Sequence, residues 1–478
     1  IDFTESFSPV ASGATITMVL LMTLWKNEEK WNCEMFDVEA AFLNAELEIP
    51  MYLEWPEQMK NLGFIMEQEE KTKCIKLVRS MYGNVDVALR WMKAFVKACT
   101  SKEIGCKQSA VDPCLLFKHD EYGELKLLIA IYVDDVLIAG KKEEIKNFKN
   151  EFRNIYKITD LGNLRRHLGI WFEWINDDNG ERAIKLNMDD MAEKIVKEYE
   201  KLTGNILKTW KTPGYTSLKL RKPSDETEII KEKEYRSMVG KVMYYVNKVC
   251  PLCLSITREL AKYFNCPTSE HWKALTRLMG YIKGTTGKGR ILRRPKEMRI
   301  IAFIDSDYAN GEDRKSVTGG VVTIGGVLTN AMSKTQTTVN LSSTEAEYVA
   351  LSTVAQEVIF QSQILDELIG HEHIKPSIIF EDNLGAIYLT RNSQISQRTK
   401  HIDVRHHFIR SMVENKIIEV KFVQSKNNTS DVMTKNLAED LFLKHEKSIN
   451  GGTISYNEKE MIIENEDDNQ TKQSYLRN

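Results

Sequence analysis

The residues best suited to chemistry in this 478-residue chain are acids that close apolar segments. Tyr132-Val133-Asp134-Asp135 sets two adjacent carboxylates between the apolar half-strands of Leu125 to Ala139. Burying unpaired charge is costly, so something must compensate. Two readings are open. Either a polar hairpin turn leaves both acids in water, or hard oxygen ligands at the tip of a rigid hairpin hold a divalent cation such as Mg²⁺. Asp37, at the end of the strand-like run from Trp31 and five residues before Phe42, is a candidate partner carboxylate. The C-terminal half repeats the pattern. Asp305 ends Phe303-Ile304-Asp305, Glu345 and Glu347 open a helical run from Ser343, and Asp382 ends Phe380-Glu381-Asp382. Taken singly, each of these acids is unremarkable.

Elements must hold these acids in place. Apolar spacing predicts helices over 15–25 and 88–100, a strand running into a turn or helix over 31–42, strands over 51–55 and 114–118, and a pair of strand halves meeting at Asp134. This order suggests an α+β layer. A helix follows over 187–200, then a polar stretch from Lys208 to Glu234 with Pro213, Gly214 and Pro223, the best linker candidate. Helices are expected over 235–264 and 269–283. Strands over 299–308, 319–329 and 331–338, a long helix over 343–369, a strand over 377–380, helices over 385–391 and 404–414, a strand over 417–423 and a last helix over 430–437 define a second α/β unit. At roughly 150 residues per domain the length allows about three units.

Hydrophobic residues make up 42% and charged residues 28%, enough apolar surface for large cores. No run reaches the eighteen or so apolar residues of a membrane span. Eight cysteines, irregularly spaced, fit a reducing compartment better than a disulfide scaffold. The start, Ile1-Asp2-Phe3-Thr4, has neither a basic n-region nor an apolar h-region, so no signal peptide is expected and the chain reads as a piece of a longer polypeptide. A formal charge of -2 conceals segregation: residues 1–60 carry 3 basic and 11 acidic side chains, residues 201–300 carry 22 and 8. The second stretch could grip a polyanion.

Asp37 with Phe42-Leu43-Asn44, then Met81-Tyr82-Gly83, Tyr132-Val133-Asp134-Asp135, and Leu161-Gly162 to Leu168-Gly169-Ile170 resemble, in order, the motifs of reverse transcriptases from copia-type long-terminal-repeat retrotransposons. Ser342 to Leu351, and Lys400-His401-Ile402-Asp403 with His407-Phe408-Ile409, resemble the RNase H module that follows the polymerase in that family. The likeness covers roughly residues 1–440 and implies a C-terminal portion of a Pol polyprotein, with integrase and protease lying upstream. It implies an α+β fold: a right-hand polymerase palm of antiparallel sheet and helices with truncated fingers (1–175), a basic helical thumb or connection (176–295), and an RNase H-like α/β domain with a mixed five-stranded sheet (296–440). A polar acidic tail (441–478) is expected to be disordered.

By the same resemblance Asp37, Asp134 and Asp135 are catalytic and hold two Mg²⁺ or Mn²⁺ ions, and Asp305, Glu347, Asp382 and Asp431 hold two more for cutting the RNA strand of an RNA-DNA hybrid. Phe42, Tyr132, Asp86 and His401 fall at substrate-binding positions. Phe42 packs under the sugar or is an ordinary core aromatic. Asp431 is a ligand or a helix cap. His401 assists product release or is a surface residue. Implied partners are an RNA template, a DNA primer, the hybrid and dNTPs, with no membrane, inside a cytoplasmic virus-like particle. Cys250, Cys253, Cys266 and His271 have a zinc-like spacing, but Pro251 divides the first pair and the family places no metal there, so no zinc is expected.

Three departures bear on activity. Basic finger residues that the family places before Asp2 are absent, Ser12-Gly13 stand where Arg is usual, and Asp86 replaces a Gln. An acid beside a triphosphate is unfavourable unless paired. The competing class is a binding relic of a decayed or domesticated element that is non-catalytic or active only as an RNase H; the retained acids favour an enzyme, since binding alone has no use for carboxylates that repel phosphate.

Overall fold

The computed structural model describes residues 7–64, 73–216, 218–224, 228–309, 311–391 and 403–456. It divides into two compact units, Ile1–Leu164 and Arg165–Asn478.

The first unit is built on a six-stranded antiparallel sheet. Its strands are β1 (Trp31–Val38), β4 (Lys107–Gln108), β5 (Leu115–His119), β6 (Leu125–Tyr132), β7 (Asp135–Lys141) and β8 (Ile158–Asn163), in the order β4-β5-β6-β7-β1-β8. A separate ribbon pairs β2 (Glu46–Leu53) with β3 (Ile75–Arg79). Helix α1 (Gly13–Trp25) starts where Ser12 Oγ accepts the Thr15 amide, and it is buried from Ala14 to Leu24 because it is apolar on nearly every side. A short helix, α2 (Glu57–Asn61), is followed by α3 (Val87–Cys99) and α4 (Lys142–Arg153). Phe95 of α3 and Phe148 and Phe152 of α4 close on Phe36 of β1 in one aromatic cluster. Buried Lys149 of α4 reaches Glu34 Oε2 at 2.7 Å and Asp160 Oδ1 at 2.6 Å, tying β8 to β1.

The second unit carries two sheets. β9 (Arg166–His167), β10 (Ile170–Asn176), β11 (Arg182–Asn187) and β12 (Arg290–Leu292) pair in the order β12-β11-β10-β9. Helices α5 (Asp189–Thr203), α6 (Glu232–Val249), α7 (Leu254–Ala261) and α8 (Ser269–Thr285) lie between β11 and β12 in sequence. The second sheet is five-stranded and mixed. β13 (Arg299–Asp307), β14 (Val317–Ile324) and β15 (Val327–Thr335) are antiparallel, while β16 (Ile374–Glu381) and β17 (Ile418–Phe422) run parallel to β13, giving β15-β14-β13-β16-β17. Helix α9 (Ser343–Ile369) packs along this sheet, and α10 (Leu384–Arg391), α11 (Asp403–Glu414), α12 (Asp431–Thr434) and α13 (Glu439–Asn450) complete the chain.

Several expectations need correction. The chain breaks at 164/165, before the expected 175/176, because β9 and β10 begin a new sheet there. No core boundary falls at 295/296: Leu278, Met279 and Tyr281 share one buried cluster with Phe303, Phe380 and Phe442. The tail does not begin at 441, since Phe442, Ile449 and Ile454 are buried; residues 457–478 lie outside the described residues. The 235–264 helix is broken at Cys250-Pro251, where proline lacks the amide that would continue it. The hairpin placed at 329–331 turns instead at Gly325-Gly326, both with positive φ of 56° and 85°. The linker candidate is packed at its start, where Thr212, Pro213 and Gly214 are buried. Among the described residues no helix is long and apolar enough to cross a membrane.

Candidate functional site

In the first unit the β6–β7 hairpin pairs Tyr132 with Asp135, and β1 lies beside β7 so that Asp37 is the direct partner of Asp135. The tight turn forces Val133 to φ 58°, a left-handed backbone that β-branched residues avoid. Two bonds stabilise the site against that strain. Trp91 of α3, 1% exposed, donates Nε1 to the Val133 carbonyl at 3.2 Å, and Ala11 donates its amide to Ile131 at 3.0 Å. All three acids are held above the usual carboxylate range. Burial is the first cause for each; Asp135 and Glu39 add to it at Asp37, and Asp37 and Asp135 add to it at Asp134. Asp134 Oδ1 is buried without a protein partner. Such carboxylates suit a bound cation better than a solvated turn.

Phe42 is half-buried on the short 3-10 turn Ala41–Asn44, its ring centroid 5.0 Å from that of Tyr82. Asp86 is not a bare acid: its Oδ2 accepts from Arg90 Nε at 2.6 Å, one turn along α3. The pairing that the sequence left undecided is present.

In the second unit Phe303 of β13 is in register with Phe380 of β16, so two residues further on come Asp305, near the end of β13, and Asp382, just past the end of β16. Ser342 caps α9 by accepting the Glu345 amide, while Glu345 Oε2 accepts the amide of Leu341, the residue before the cap, at 2.7 Å. Glu345 is thereby used up as a cap, and Glu347, 6% exposed, faces the sheet. Ligand oxygens of Asp305, Glu347 and Asp382 lie within 4.8 Å of one another. Among the described residues the acids of the first unit do not converge as tightly.

Asp431 opens α12 and is 4% exposed. Gly319, opposite Asp305 in the β13–β14 ladder, makes room for α12, since a Cβ there would lie 2.5 Å from Thr434 Cγ2 and 3.0 Å from the Ser430 carbonyl. Thr434 Oγ1 accordingly donates to Asp305 Oδ2, and Lys435 Nζ lies 3.2 Å from Asp431 Oδ2. Burial pushes Glu347 up to about 11, helped by Glu381, Asp305 and Asp382. Burial and Asp305 raise Asp431 to about 7 against the pull of Lys435. Asp382 is raised by burial and Asp305, against hydrogen bonds from Ser425 and Asn428. Glu347 Oε2 and Asp431 Oδ1 are buried without partners. Clustered carboxylates with orphaned oxygens have the donor chemistry of a hard divalent cation.

Sequence reasoning missed Trp91, Gly319, Glu381, Thr434 and Lys435. Glu381 is fully buried beside Asp382 and also raised, first by burial. The signals available were the Gly319-Gly320 pair in a strand and the Asp431-x-x-Thr434-Lys435 spacing. His401 lies outside the described residues. Within the basic stretch Tyr245, Tyr263 and Tyr281 are buried, Trp272 donates Nε1 to the Ile230 carbonyl, and Tyr244 is exposed. His271 caps α8 through Thr268.

A family model described as reverse transcriptase (RNA-dependent DNA polymerase) matches residues 1–213. Over 92% of its length the chain is 31% identical to the retrovirus-related Pol polyprotein from transposon TNT 1-94 of Nicotiana tabacum, covering 32% of it. Over 94% it is 28% identical to the corresponding polyprotein from transposon RE2 of Arabidopsis thaliana, covering 29% of it. The chain thus spans about a third of the length of these curated relatives. Among solved structures, LC11-RNase H1 isolated from compost is 15% identical and matches 29% of this chain and 93% of its own, at a TM-score of 0.23.

Proposed function

The chain belongs to the Pol polyproteins of copia-type retrotransposons and carries their reverse transcriptase domain, and on that premise we propose that it joins two activities: RNA-templated extension of a DNA primer in the first unit, and hydrolysis of the RNA strand of the resulting hybrid in the second. One observation carries this reading. Two groups of acids lie at or beside the strand ends of two separate sheets, and each contains at least one buried carboxylate oxygen without a protein partner.

Divalent cations, when bound, would supply charge that activates the attacking oxygen and neutralises the departing one. The residues do the rest. Asp37 and Asp135, paired across β1 and β7, would hold the cations of the first unit together with Asp134. Trp91 fixes the hairpin that presents Asp134 and Asp135. Phe42, braced by Tyr82, would lie under the sugar of the incoming nucleotide. Arg90 neutralises Asp86, so the acid where the family has Gln need not repel a triphosphate. Asp305, Glu347, Asp382 and Asp431 would hold the cations of the second unit, with Thr434 fixing the Asp305 carboxylate. The RNA template, DNA primer, hybrid and dNTPs are the proposed partners, inside a cytoplasmic particle.

Primer extension on an RNA template with Mg²⁺ tests the first activity. The chain extends the primer and Asp134→Asn does not; equal extension by both, or none by either this chain or one lengthened upstream, removes the polymerase claim.

A further inference from the structure

The acid cluster of the second unit contains a cation of its own, placed to one side. Lys435 Nζ lies 3.2 Å from Asp431 Oδ2 and 3.8 Å from Asp305 Oδ2. Asp305 also belongs to the group whose oxygens gather with those of Glu347 and Asp382 within 4.8 Å. The cluster therefore has two edges that meet at Asp305. Along the edge toward Glu347 and Asp382, neither acid has a direct ion-pair partner among the described residues, and Glu347 Oε2 is orphaned. Along the edge toward Asp431 an ammonium group is already in place.

That placement is built into the fold. The Lys435 amide donates to the Asp431 carbonyl at 3.1 Å. The next residue, Asn436, packs on Gly214, where any Cβ would collide with the Asn436 side-chain amide. Gly214 lies on the segment after Lys208 that crosses α8 at Gly280, where a Cβ would strike the Lys208 carbonyl. Arg277 of α8 clamps the segment, its guanidinium 4.4 Å from the Trp210 ring and 3.8 Å from the Tyr215 ring, with Nη2 donating to Thr212 Oγ1 at 2.7 Å. The backbone of Lys435 is fixed by this strap, while its side chain is 44% exposed and can withdraw into solvent along its flexible stem.

We propose that Lys435 is a resident competitor for one of two cation positions in the cluster. It rests on the hydrolytic reading of this site given above. An ammonium and a divalent cation seek the same oxygens of Asp305 and Asp431, and they repel each other. The edge formed by Asp305, Glu347 and Asp382 fills first. The edge formed by Asp305 and Asp431 fills only when Lys435 leaves it. The second unit thus has a cation threshold set by one side chain.

Titration of the full chain with Mn²⁺, read from the electron-paramagnetic signal of the free ion, tests this. The first unit contributes equally to every titration, since no variant touches it. Lys435→Met tightens the weaker class of sites by about tenfold. Lys435→Arg, which keeps the charge, binds as wild type does, and in an Asp431→Asn background Lys435→Met has no further effect. Thermal melting of each variant guards against loss of fold. If Lys435→Met binds as wild type does while Asp305→Asn loses Mn²⁺, the competitor is wrong and the hydrolytic reading stands. If Asp305→Asn also binds as wild type does, both are wrong.

Discussion

Glu347 and Asp431 tie the second site to pH. Both carboxyls are raised in the folded chain, to about 11 and about 7, with burial the first cause in each. A carboxyl raised on folding binds its proton more tightly in the native state, so its contribution to stability is complete below the unfolded value and is lost as pH rises through the folded one. With a chelator present, the melting temperature should therefore fall between pH 5 and pH 8, most steeply below about 7 while Asp431 keeps its proton in the folded chain, and less steeply once it has ionised. Adding Mg²⁺ should flatten that slope, because the cation takes over from the proton. A melting temperature that rises over the same range in chelator would contradict the burial of these acids. Glu347 was legible in the sequence as one of two acids opening a helical run within a segment that resembles the RNase H module; in the structure it is buried on α9, while Glu345 lies in the first turn behind the Ser342 cap. Glu381 and Lys435 were not. An acid beside a strand-end acid reads as exposed, and a lysine four residues after an aspartate reads as an ordinary helix pair.

The hairpin and α12 show what elements must do for these residues. Val133 adopts φ 58° only because Trp91 and the flanking ladder hold it. Trp91→Phe keeps an aromatic ring and removes the donor, so it should cost about 1–3 kcal/mol and lower primer extension through kcat more than through KM. Unchanged kcat would assign Trp91 to packing alone. Gly319 plays the matching part in the other unit: Gly319→Ala forces α12 away from β13 and β14, with an expected cost of about 1–3 kcal/mol in urea melts and loss of hybrid cleavage. The hairpin halves were visible as apolar runs around two acids. The β10–β11 hairpin was not, because Trp171, Glu173, Trp174 and Ile175 lack clean alternation, and α13 was hidden in a stretch whose polar residues outnumber Phe442 and Ile449. Four residues of α12 are too few for any periodic signal.

At the scale of the molecule, a formal charge of -2 hides acidic and basic segments, and the basic segment proves to be largely a core-forming part of the second unit. Sequence read it as a separate connection because charge is visible along a chain while shared burial is not. Tyr281 of α8 packs edge-on against Phe442 of α13, 5.6 Å between centroids, across the whole of the intervening sheet in sequence. The two sets of acids were legible because they interrupt apolar segments, where a lone charge has no structural use. In the proposed function those acids serve two separate reactions in one chain. The most direct test is Mg²⁺-dependent cleavage of the RNA strand in an RNA-DNA hybrid by the full chain, by Asp305→Asn and by Asp134→Asn. Cleavage should vanish in Asp305→Asn and persist in Asp134→Asn; cleavage undiminished in Asp305→Asn would contradict the assignment.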